Sequence, residues 1–134
     1  MSVVRIKGFY DLGIPPAPGV NPNTRTTIRV PFGGDVTIAM DTIDSTGSPF
    51  KFLSGDVVTL TVKKKSSDTT PAISKTAPVP VVGTALFSVA AADFKRTPGS
   101  GIYTFDCWIK RSSLRSQLVE LSTIIFEPAA TPPT

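Results

Sequence analysis

The stretch from Ile102 to Lys110, IYTFDCWIK, alternates without a break. Tyr103, Phe105, Cys107 and Ile109 fall on one side, and Thr104, Asp106, Trp108 and Lys110 on the other. That two-residue period belongs to a strand with one dry face. Beyond the polar residues Arg111 to Ser116, Gln117 to Phe126 is rich in β-branched and large apolar side chains. The pair predicts a β-hairpin that closes a domain.

Upstream, the same period recurs. In Asp35 to Asp41, Val36, Ile38 and Met40 share a face, and in Asp56 to Lys64 Val58, Leu60 and Val62 do. Thr24 to Val30, Ala72 to Thr76 and Ala85 to Val89 are shorter strand candidates, and Ala90 to Phe94 suits one helical turn. Breaks fall at Pro31 to Gly34, Thr42 to Gly55, Ser66 to Thr70 and Thr97 to Gly101. Pro78 and Pro80 suit a sheet edge. About seven short strands, each with one apolar face, predict an all-β, antiparallel β-sandwich over residues 24–126.

Both ends differ from this pattern. Residues 1–23 pass from Val3, Val4 and Ile6 into the proline-rich run Ile14 to Pro22, which cannot join a helix or a central strand. They predict an extended N-terminal arm near polyproline II, with Phe9, Tyr10, Pro15, Pro16 and Pro18 as candidate contacts to a neighbouring subunit. Residues 127–134 predict a second proline-rich tail.

The chain has 134 residues, enough for one domain, with 40% hydrophobic and 18% charged residues. Its net charge of +4 is spread out except at Lys63, Lys64 and Lys65, where no nucleic-acid motif surrounds it. That run reads as a blunted strand edge, and no nucleic-acid partner is expected. The single cysteine, Cys107, permits no intrachain disulfide. The opening residues MSVVRIKGFYDLG lack a signal-peptide core, and no apolar run approaches a membrane helix. Synthesis in the cytoplasm and no membrane partner are therefore expected.

No histidine is present, which removes the commonest general base and metal ligand. Cys107 alternates with core aromatics and reads as an inert buried thiol. Asp106 and Glu120 are carboxylates on strands and read as outward residues or cross-strand partners. Asp41, Asp44 and Asp56 flank the 42–55 loop, and turn chemistry is preferred to a calcium site there. Gly33-Gly34 and Gly99 to Gly101 lack the spacing of phosphate loops. Trp108, on the outward side of its strand, either packs in a second layer or stands exposed as an interface anchor. No catalytic residue, cofactor or metal is expected.

The order of Thr59-Leu-Thr-Val62, a polar hairpin, Ala91-Ala-Asp-Phe94 and Gly101-Ile-Tyr-Thr-Phe-Asp106 resembles the immunoglobulin-like domains of tailed-bacteriophage structural proteins. The N-terminal domain of siphophage upper baseplate proteins is an example, with its Gly-x-Tyr pattern at the start of the penultimate strand. The resemblance covers roughly residues 35–126. Gly101-x-Tyr103 also resembles a tyrosine corner, in which the hydroxyl ties a loop to the strand. Here Cys107 lies four residues past Tyr103, and a second cysteine is missing. The resemblance implies a non-enzymatic virion protein, in tail or baseplate or as a cement or minor protein on the capsid. It also implies other virion proteins as partners and a symmetric homo-oligomer. The competing expectation is a module that binds a glycan or host surface through Trp108, Tyr10 and the 42–55 loop.

Overall fold

A computed structural model describes residues 2–78, 83–96 and 99–128. Its strands are β1 (Ser2–Tyr10), β2 (Thr27–Pro31), β3 (Val36–Asp44), β4 (Val57–Lys63), β5 (Ile73–Thr76), β6 (Thr84–Val89), β7 (Gly101–Arg111) and β8 (Leu114–Glu127). A 3-10 helix, Ala91–Arg96, links β6 to β7. The strands form a three-stranded sheet, β1-β3-β6, and a five-stranded sheet, β2-β8-β7-β4-β5. Pro80, Thr97, Pro98 and the tail from Ala129 to Thr134 lie outside the described residues.

The alternation sets the core. Tyr103, Phe105, Cys107 and Ile109 of β7 and Val58, Leu60 and Val62 of β4 are buried, as are Val36, Ile38 and Met40 of β3 and Phe87 of β6. Burying each such apolar side chain contributes about 1.5–3 kcal/mol, so the face periodicity decides the fold. The 3-10 helix seats Phe94 edge-on against Phe126, with ring centroids 5.1 Å apart. β7 and β8 form a longer hairpin than the sequence predicts. Arg111 pairs with Leu114, leaving Ser112 and Ser113 as the turn. Ser112 adopts a φ of 54°.

Two expectations need correction. The sheets are mixed rather than purely antiparallel: β1 runs parallel to β3 and β2 parallel to β8. Parallel neighbours need a long connection, and residues 11–26 supply one by carrying the chain from the first sheet to the second. The expected arm over residues 1–23 is also half wrong, because Ser2–Tyr10 is a strand of the sandwich. Ile6 is buried while Arg5 and Lys7 face outward. Gly8 lets β1 lie close on β3; a Cβ there would stand 2.5 Å from the Thr42 hydroxyl and 3.1 Å from Met40.

Candidate functional site

The proline-rich segment after β1, residues 11–26, forms a strap pinned to the fold largely by its backbone. The amide of Leu12 donates to Ser45 Oγ at 3.1 Å, and that of Ala17 to the Ser45 carbonyl at 2.8 Å. The Lys7 ammonium donates to the carbonyl of Asn21. Asp11, Asn21 and Asn23 each accept the amide two residues ahead, forming a series of short side-chain turns.

Further along, the segment docks on an irregularity of the large sheet. The β7–β8 register shifts between Phe105 and Trp108. Thr24 Oγ1 accepts the Glu120 amide there at 2.8 Å. Ser122 Oγ accepts the Thr26 amide at 3.1 Å and donates to the Glu120 carbonyl at 2.8 Å. Thr24, Ser45 and Ser122 are all buried. Polar groups in the interior must be partnered, and here their partners are the strap's backbone and the bulged strand.

With its backbone turned to these pegs, the strap turns apolar side chains outward. Pro15, Pro16 and Pro18 are exposed, as are Leu12 and Ile14. Phe9 is half-buried and joins Ile14, Pro15, Pro16 and Pro22 around a shallow hollow of about 490 Å³.

Tyr10 is committed elsewhere. Its ring stacks on Phe50 with centroids 4.3 Å apart, so it packs within its own chain. Arg111 lies over both rings and reaches Asp56 with two nitrogens, at 2.9 and 2.7 Å. It also donates to the Lys51 carbonyl at 3.2 Å. The Asp56 side chain is 2% exposed. Hydrogen bonds from Arg111, opposed by desolvation, hold its carboxyl below the ordinary aspartate range.

The other aspartates of the 42–55 region are also occupied. Asp41 accepts from Arg5 and Thr84, and Asp44 accepts the Thr46 amide of its own turn. The three do not converge, and no group of His, Cys, Asp or Glu among the described residues is arranged to hold a metal. Cys107 is fully buried, and desolvation pushes its thiol well above the usual range. Asp106 accepts from Trp108, and Glu120 is exposed.

Tyr103 is buried, and its hydroxyl donates to the Gly99 carbonyl at 2.6 Å, tying the bend before β7 to the strand. Lys64 covers its ring at 4.6 Å.

No protein-family model matches the chain, and no curated protein does. Among solved structures, it resembles one titled "N-terminal domain of phage TP901-1 ORF48". That similarity covers 97% of this chain and 100% of the other, at 11% identity and a TM-score of 0.48.

Trp108 dominates the outer face of the five-stranded sheet and is 41% exposed. Its indole N–H donates to Asp106 at 3.1 Å, which fixes the ring while part of it stays exposed to solvent. Two grooves flank it. One, of about 200 Å³, lies toward Leu121, Thr104 and Lys63, and the other, of about 280 Å³, toward Val57, Lys110 and Arg115. Val57, Trp108 and Leu121 thus mark an apolar line across β4, β7 and β8. No helix among the described residues is long and apolar enough to cross a membrane. Trp108 and the prolines stand out in the sequence; the pegs Thr24, Ser45 and Ser122 do not, because they look like any other turn-forming hydroxyls.

Proposed function

We propose that this chain is a non-enzymatic structural subunit of a tailed-bacteriophage particle, a tail or baseplate component or a cement or minor capsid protein. The observation that carries its role as a subunit is the pinned strap. Its backbone is bound inward, while Leu12, Ile14, Pro15, Pro16 and Pro18 stand outward. A surface already ordered before docking loses little conformational entropy on binding, which suits a part that holds neighbours in fixed positions. The phage setting rests on the sequence resemblance around Thr59 to Val62 and Gly101 to Asp106. Its partners are then other virion proteins and copies of itself in a symmetric assembly. Mass spectrometry of purified particles tests this reading: stoichiometric presence supports it, and absence from the particle overturns it.

A second reading, a glycan-binding module, draws on the free face of Trp108 and the neighbouring hydroxyls of Thr59, Thr61 and Thr104. Binding on a glycan array that disappears in Trp108→Ala would favour it over the first.

A further inference from the structure

We propose that copies of this chain associate head to tail, the strap of one copy seated on the Trp108 face of the next. This rests on the reading of the chain as an assembly subunit and names the contact.

The two surfaces are complementary in shape, chemistry and charge. The strap presents Pro15, Pro16 and Pro18, spaced as in proline-rich segments that dock on aromatic side chains. The sheet face presents an indole whose N–H is already satisfied, so its π face is what remains to pack. Grooves of about 200 and 280 Å³ on either side of the ring have room for proline and isoleucine side chains.

Charge selects the partner. Residues 9–22 carry one acid, Asp11, and no cation. The residues lining the grooves include Lys63, Lys110 and Arg115, which make no ion pair among the described residues, against the single acid Asp106. Two copies of the Trp108 face brought together would oppose like charges, so a two-fold contact through this face is disfavoured. A strap-to-face contact brings Asp11 to the cations instead. The two surfaces have no residue in common, so one copy can use both at once. The contact is therefore heterologous, and it yields a ring or an open filament.

Sedimentation of the full chain tests the proposal, independently of whether the chain is found in a particle. The intact chain is expected to self-associate at concentrations up to about 0.1 mM. Trp108→Ala should weaken association about thirtyfold, as for loss of an aromatic anchor. Ile14→Ser and the double reversal Lys110→Glu/Arg115→Glu should weaken it too. Both sites are solvent-facing, so circular dichroism should stay native in each variant. The deciding sample mixes Trp108→Ala with Ile14→Ser. The first keeps an intact strap and the second an intact face, so the mixture should form a one-to-one dimer and stop there. A monomeric intact chain, association that survives both variants, or a mixture that forms no dimer would each overturn the proposal. So would an array glycan bound at Trp108 by a chain that remains monomeric.

Discussion

The β7–β8 hairpin and the strap over residues 11–26 are held by opposite means. The hairpin is held by side chains: Phe105, Cys107, Ile109, Ile124 and Phe126 are buried while the ladder between the strands looks after the backbone. The strap is held by its backbone, and its larger side chains are left in solvent. The first arrangement is stabilised by apolar burial. The second depends on three buried hydroxyls: Ser45 and Ser122 receive strap amides, and Thr24, on the strap itself, receives the Glu120 amide. A proline-rich segment can therefore be as well placed as a strand without joining a sheet.

The contrast can be broken first at the hairpin. Phe105→Ala is expected to cost about 3–5 kcal/mol and to lower the denaturant midpoint of the whole domain, because it empties the shared core. A change confined to the hairpin would show that the two regions fold separately.

The joint between the regions is next in size. Arg111, at the end of β7, binds Asp56 and covers Tyr10, the residue from which the strap departs. Asp56→Asn should cost about 2 kcal/mol at neutral pH, in line with lost hydrogen bonds to a charged group. The folded carboxyl lies below its unfolded value, so its stabilising effect is complete above about pH 4 and is lost as pH falls through the folded value. The gap between parent and variant in thermal melts should therefore close in acid. A gap that stays constant with pH would mean the carboxylate's charge is not what matters.

The strap alone is tested by Ser45→Ala, expected to cost about 1–2 kcal/mol by leaving the Leu12 amide unpaired. Hydrogen exchange should rise over residues 11–23 while the β7–β8 amides keep their protection. The smallest effect lies at the hairpin turn. Ser112 holds a positive φ that glycine adopts without strain, so Ser112→Gly should stabilise by about 0.5–1 kcal/mol. No change in the melt would mean that the turn is already relaxed.

The same contrast explains what could be read from the chain. β3, β4 and β7 were legible because each has a clean apolar face whose residues are buried as expected, although Ala39, on the opposite side of β3, is buried too. β1 was hidden because Arg5 and Lys7 interrupt its apolar residues and its closeness to β3 depends on Gly8, a residue usually associated with turns. The parallel edges were hidden because periodicity reports a strand's face and not its direction. At the site, Trp108 was visible as an outward aromatic, but its bond to Asp106 was not. The pegs were invisible because no pattern of Ser and Thr reveals which hydroxyls meet a backbone far away in the chain, as Thr24 meets the amide of Glu120.

The parallel pairing of β2 with β8 sets an order of events. Thr27 to Pro31 are made before their neighbours in the sheet, Thr123 to Glu127, which lie nearly a hundred residues further along the chain. Until those later residues are available, β2 has no ladder and Thr24 has no Glu120 amide to accept. The larger sheet therefore completes only when both segments are free to meet, in one step that joins distant parts of the chain. Pairing of these two distant segments is the latch on the strap's far end, at Thr24, while Ser45, much closer in the chain, holds its near end.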